Sequence, residues 1–113
     1  CYGKLDWRCL RHEHEILDID NFQGCPQMNY TDKDIPYTRI IEHKHFMPWI
    51  ETDKTWISKE YSVSEGEVAY PINDSRNEEL YKKYASIPSN VKFCGRLGEY
   101  KYYNMDEIIE KYI

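Results

Sequence analysis

The apolar residues of this chain change their period once, near residue 71. Before that point they alternate with polar residues; beyond it they recur at steps of three and four. Alternation sends successive side chains to opposite faces of a strand, whereas the longer step builds one face of a helix. The order of periods therefore predicts an α+β chain. Its expected parts are an antiparallel β-sheet of about four strands, then a helix, a short strand and a C-terminal helix.

Residues 4–16, KLDWRCLRHEHEI, read as the first strand, with Leu5, Trp7 and Cys9 alternating with polar neighbours. NFQG marks a turn, PQMNYT a short strand and TDKDIP a second turn. Residues 37–46, YTRIIEHKHF, form the clearest strand pattern. One face carries Arg39, Ile41, His43 and His45; the other carries Thr38, Ile40, Glu42, Lys44 and Phe46. TWISKEYSV (55–63) is predicted to pair with it antiparallel. In SRNEELYKKYASI, Leu80, Tyr81, Tyr84 and Ala85 have helical spacing, and Ser75 with Glu78 offers a capping box. NVKFCGR reads as a short strand ending at glycine. The last helix opens at Asn104, with Glu107 three residues on and an apolar stripe of Met105, Ile108, Ile109 and Tyr112.

Composition narrows the function classes. The 113 residues suit one small domain, and 41% apolar residues argue for a folded core. A net charge of -5 speaks against nucleic acid as the main partner, because phosphate backbones call for a basic face. No apolar run approaches the roughly 18 residues of a membrane helix, so no membrane span is expected. No secretory signal opens the chain. Cys1, Cys9, Cys25 and Cys94 are dispersed, which favours free thiols and a cytoplasmic protein. The chain opens at Cys1-Tyr2-Gly3 without Met, and the expectation is a fragment of a longer protein.

Four motifs carry chemistry. His12/His14 and His43/His45 are His-x-His pairs, and in a strand each pair shares a face that could grip a metal. Two polar strand faces are the plainer reading, and the spacing does not bring the pairs together. Arg39 fits either a strand arginine paired with a carboxylate or a phosphate clamp, since guanidinium recognises diphosphate in a planar, bidentate way. Tyr70, before Pro71, reads as a packed ring with a solvated hydroxyl. In GRLGEYKYYNMD, Arg96 and Tyr102 lead into a helix whose N-terminus favours anions, and Gly95 and Gly98 permit a positive φ or a close backbone approach. That G-x-x-G alone says no more than a turn. No nucleophile elbow, P-loop or Ser/His/Asp arrangement is present. Residue chemistry by itself reaches an α+β segment with a candidate phosphate site.

The quoted pieces taken together go further. FQGCPQMNYTDKDIPYTRIIEHKHF, TWISKEYS, AYPIND and CGRLGEYKYYNMD, in that order, resemble the C-terminal part of the UDP-galactopyranose mutase family. PYTRIIEHKHF and GRLGEYKYYNMD are the specific segments. The resemblance implies a cytoplasmic flavoenzyme that interconverts UDP-galactopyranose and UDP-galactofuranose for cell-surface polysaccharide, the cell wall included. The ring contracts without net redox change, yet the FAD must be reduced. A flavin nitrogen acts as the nucleophile at the anomeric carbon and UDP leaves, so the protein's task is to hold the diphosphate and orient the sugar.

By the same resemblance Arg39 is the arginine of the substrate diphosphate and a catalytic residue. Tyr70 and Tyr102 are tyrosines whose hydroxyls bond those phosphates. Arg96 stands beside flavin and sugar and counts as catalytic. Asn29 and Arg8 match substrate-site positions, and Asn104 and Met105 open the helix that caps the flavin side. No metal is implied. Many family members have Asp where this chain has Asn104; Asn still caps a helix but lacks the charge.

The resemblance also implies what lies elsewhere. The family's N-terminal half carries a G-x-G-x-x-G motif that this sequence lacks. Residues 1–70 correspond to a substrate-side antiparallel sheet and 71–113 to a segment that returns to the flavin-binding domain. The expected partners are the nucleotide sugar and the missing N-terminal flavin domain, and a homo-oligomer is compatible with the family. Alone, the chain is expected to hold no flavin and to be inactive, with self-association or partial disorder near residues 95–113. Two alternatives stand beside the enzyme reading: a non-catalytic nucleotide-sugar or diphosphate-binding module, and a structural domain bound to metal through the His-x-His pairs.

Overall fold

The computed structural model describes all residues, Cys1–Ile113. The elements are β1 (Trp7–Leu17), β2 (Gln27–Asn29), β3 (Arg39–Glu42), a 3-10 helix (His43–Phe46), β4 (Thr55–Val63), β5 (Glu67–Pro71), α1 (Ser75–Ala85), α2 (Gly95–Gly98) and α3 (Met105–Tyr112). The five strands lie in the order β2-β3-β4-β1-β5. The α+β class and the strands-then-helices order hold. No helix is long and apolar enough to cross a membrane. The chain condenses into two compact units, Leu10–Glu67 and Cys1–Cys9 with Val68–Ile113.

In the unit Leu10–Glu67, β2 pairs with β3 antiparallel, placing Asn29 opposite Arg39 and Gln27 opposite Ile41. β3 pairs with β4 antiparallel, placing Arg39 opposite Glu60 and Ile41 opposite Ser58. Opposed residues share a face, so Asn29, Arg39 and Glu60 project together, as do Ile41 and Ser58. The other face buries Ile40 and Ile57, each 1% exposed. Glu42 is buried beside them. It accepts the backbone N–H groups of Phe22 and Gln23, both at 2.9 Å, and the Thr55 hydroxyl at 2.7 Å. Gly66 turns β4 toward β5; a Cβ there would stand 2.7 Å from the Leu10 carbonyl oxygen, which only glycine avoids.

In the unit formed by Cys1–Cys9 and Val68–Ile113, Asp74 caps α1 by accepting from the Asn77 N–H at 2.7 Å. The Asn77 side chain, fully buried, accepts the Asp6 N–H at 3.0 Å and so pins the N-terminal segment to the helix. Tyr100 is 5% exposed and has φ +47°, a left-handed backbone that a bulky residue rarely adopts. Its ring packs edge-on against Trp7 at 4.8 Å. Its hydroxyl donates to the Asp6 carbonyl and accepts the Ile72 N–H at 3.1 Å. These contacts hold the backbone in its costly conformation.

The structure corrects several expectations. The short strand read in NVKFCGR does not form; extended backbone there gives way at Gly95, φ +74°, to α2. Val91 and Phe93, each 64% exposed, have no neighbouring strand. The strand read over 37–46 is confined to Arg39–Glu42. Beyond it the chain coils into the 3-10 helix, which leaves His45 Nε2 3.1 Å from the buried Glu42 carboxylate. A fifth strand, Glu67–Pro71, was not expected; its short, mixed sequence ends in proline and shows little alternation. The α1 cap is Asp74 rather than Ser75. The capping box at Asn104 and Glu107 is present, with the Glu107 carboxylate accepting the Asn104 N–H at 2.6 Å.

Candidate functional site

The unit that carries the helices gathers three of the predicted residues. Arg96, on α2, places its guanidinium carbon 4.4 Å from the centre of the Tyr102 ring and 5.1 Å from that of Tyr70. The two rings stack at 5.8 Å with 22° between their planes. The Arg96 Nη2 donates to the Tyr103 carbonyl at 2.7 Å, which fixes one edge of the fork. Gly98 permits this arrangement, since a Cβ there would press on the Phe93 backbone at 3.1 Å. A permanent cation held against two stacked tyrosine rings is suited to an anionic, partly planar ligand.

Elsewhere in GRLGEYKYYNMD the aromatic and charged side chains pack the unit together. Tyr103 is buried and Tyr100 anchors the turn. Lys111 donates to the Tyr103 hydroxyl at 2.8 Å and pairs with Glu99. The Lys111 ammonium, helped by the Tyr112 and Tyr103 hydroxyls, holds the Glu99 carboxyl down at about 2. Asn104 is exposed and committed to its cap, and Met105 is 83% exposed at the start of α3. Ile109 is 54% exposed, so the predicted apolar stripe is largely uncovered within this unit. Arg8 is exposed on β1.

The unit Leu10–Glu67 holds Asn29 and Arg39 next to one another across β2 and β3. The Arg39 Nε lies 3.2 Å from Glu60 Oε1, and its Nη1 makes a long 3.5 Å contact with Gln27 Oε1. Glu60 also accepts the Thr38 hydroxyl at 3.0 Å. The carboxylate-paired reading of Arg39 holds at one edge of the guanidinium, which faces Glu60, while Nη1 is lightly held.

On the same face Ser58, 1% exposed, lies between two imidazoles, hydrogen-bonded to His14 Nδ1 at 2.7 Å and His43 Nε2 at 2.6 Å. Trp56 stacks on His43 at 4.5 Å. Burial, reinforced by the neighbouring His14, lowers the His43 pKa. One member of each His-x-His pair therefore meets the other through a serine. No group of three or more His, Cys, Asp or Glu side chains could hold a metal ion. The four cysteines are free. Glu60 and Ser58 were not singled out from the sequence. Their strand alternation with Trp56 and their register opposite Arg39 and Ile41 were the signals available.

The comparisons with known proteins agree with these motifs. The family model described as UDP-galactopyranose mutase matches residues 1–102. The chain belongs to the UDP-galactopyranose mutase family. It is 43% identical over 114 residues to the probable UDP-galactopyranose mutase of Klebsiella pneumoniae, covering 96% of this chain and 29% of that protein. It is 38% identical over 118 residues to the dTDP-fucopyranose mutase of Escherichia coli, covering 99% of this chain and 31% of that protein. It is 31% identical over 120 residues to the UDP-galactopyranose mutase of Mycoplasma pneumoniae, covering 96% of this chain and 30% of that protein. The chain thus spans about 30% of the length of the curated relatives it matches.

Proposed function

We propose that this chain is the C-terminal portion of a cytoplasmic, flavin-dependent UDP-galactopyranose mutase that supplies galactofuranose for cell-surface polysaccharide. In this reading residues 1–70 serve the substrate side and 71–113 return to a flavin-binding domain contributed by the rest of the protein. The observation that carries it is the gathering of Tyr70, Arg96 and Tyr102 within a chain of this family. The E. coli relative is named for a different nucleotide and a different hexose. The substrate class is accordingly a nucleoside-diphosphate hexopyranose, with UDP-galactopyranose the first to test.

Each residue then has a task set by its chemistry. Arg39 offers its terminal nitrogens to the diphosphate and offsets the charge that grows as UDP departs. Asn29, beside it, and Arg8 contact the substrate. The Tyr70 and Tyr102 hydroxyls donate to phosphate oxygens while their rings keep Arg96 in place. Arg96, Asn104 and Met105 face the flavin. A fixed cation held against tyrosine rings fits an electron-rich, anionic ring system. Reduced flavin, when bound, supplies the nucleophile for the anomeric carbon.

The test is a calorimetric titration of the full-length protein with UDP, alongside Arg39→Ala. The account expects saturable binding that falls at least about tenfold in the variant, the scale of a lost charge-assisted pair. Equal affinity in both would remove Arg39 from the diphosphate. The isolated chain is expected neither to retain flavin nor to turn over substrate.

A further inference from the structure

The diphosphate arginine does not stand alone. Behind Arg39 lies Glu60, whose side chain is only 8% exposed, and behind Glu60 lies His12. Glu60 Oε1 is fully engaged: Arg39 Nε approaches to 3.2 Å and the Thr38 hydroxyl donates at 3.0 Å. Glu60 Oε2 faces His12 Nε2 at 3.6 Å. The far nitrogen of the same ring, Nδ1, lies 3.5 Å from the exposed Glu67 carboxylate.

Two details turn this row into a mechanism. The Arg39 Nε is buried and its N–H is not aligned for a hydrogen bond, so the contact with Glu60 is ionic. An ionic contact fixes distance better than direction, so the Thr38 hydroxyl makes the one directional contact on Oε1 and the carboxylate can turn about it. The carboxylate of a side chain only 8% exposed has little water to turn to and favours a nearby donor or cation. With His12 in place, Oε2 is turned toward the imidazole. With His12 removed, the cation at hand is the guanidinium already against Oε1, whose Nη1 is lightly held by Gln27 at 3.5 Å. Its terminal nitrogens are those a diphosphate needs for bidentate recognition.

We infer that His12 is a positioning residue for Arg39, acting through Glu60 by keeping the second carboxylate oxygen off the guanidinium fork. This rests on the reading of Arg39 as the diphosphate arginine. His12 touches neither phosphate nor sugar in this scheme. Its contribution is to leave a cation beside a carboxylate open to a second anion.

The experiment is a double-mutant cycle on the full-length protein, read by calorimetric UDP affinity. The variants are Arg39→Ala, His12→Ala, both together, and His12→Gln. In the Arg39 background His12→Ala is expected to weaken UDP by about fivefold, and in the Arg39→Ala background to change nothing. His12→Gln keeps an N–H for Glu60 and is expected to bind within about twofold of the parent. A purely structural His12 would give the same factor in both backgrounds, and that result would overturn the inference, as would parent-like binding by His12→Ala. In either case the reading of Arg39 stands if Arg39→Ala itself binds weakly. If Arg39→Ala binds as tightly as the parent, the reading fails and the inference with it. Should His12→Ala not fold, Glu67→Gln at the exposed end of the row carries the same comparison. A smaller loss, present only with Arg39, supports the inference; an equal effect in both backgrounds, or none, overturns it.

Discussion

The Arg96 guanidinium carbon lies 4.4 Å from the centre of the Tyr102 ring, while its Nη2 donates to the carbonyl of the next residue, Tyr103. The planar fork is thus held by a ring face and a backbone oxygen at once. Lysine keeps the charge but cannot reproduce both contacts. Arg96→Lys is therefore expected to lower kcat/KM of the full-length protein about tenfold or more, with a loss of only about 1 kcal/mol in stability. Steady-state kinetics and thermal melting, run in parallel, separate the two effects.

Glu42 is fully buried in the unit Leu10–Glu67. Burial alone would raise its pKa, but the N–H groups of Phe22 and Gln23, the Thr55 hydroxyl and His45 together outweigh that and lower it. Glu42→Ala leaves those donors without a partner and is expected to cost about 3 kcal/mol. Urea unfolding of the full-length protein would show the loss as a lower midpoint.

His43 adds a pH dependence of the same sign at higher pH. Burial, then His14, places its folded pKa below the ordinary 6.5. The unfolded chain therefore takes up a proton at a higher pH than the folded one. Stability is fully present above pH 6.5 and declines as the pH falls through 6.5 toward the lowered folded value. His43→Gln should flatten the dependence of the unfolding midpoint on pH between about pH 7 and pH 5.

Glu99 titrates lower. Its hydrogen bond from Lys111 is the main cause of a pKa near 2 against an ordinary 4.5. Its contribution is present above pH 4.5 and is lost as the pH falls from 4.5 toward 2. Lys111→Met is expected to raise the Glu99 midpoint, measured by carboxyl NMR titration, and to loosen α3.

Legibility followed locality. The pairing of β3 with β4 was readable because YTRII and TWISKEYSV are both rich in β-branched and aromatic residues and a loop of several residues joins them. The Asn104–Glu107 box was readable because a cap is written within four residues. The extent of β3 was not, because what ends it is the Glu42 carboxylate reaching Phe22, about twenty positions back, and Thr55 ahead. NVKFCGR had strand-like residues but no strand beside it, so tertiary context overrode propensity. Arg39 was visible as a candidate, yet its Glu60 partner is set by cross-strand register, which a local pattern does not reveal. The motif GRLGEYKYY pointed to Arg96 and Tyr102, while the anchoring role of Tyr100 depends on Asp6 and Ile72, far away in sequence.

The central claim is that this chain supplies the diphosphate and flavin contacts of a nucleotide-sugar mutase. The most direct test is turnover of UDP-galactopyranose and UDP-galactofuranose by the full-length protein with reduced flavin, for the parent and for Arg39→Ala. The account predicts interconversion by the parent and a rate at least about a hundredfold lower in the variant, the scale of a lost charge-stabilising donor. A parent that interconverts no nucleoside-diphosphate hexose, or a variant as fast as the parent, would contradict it.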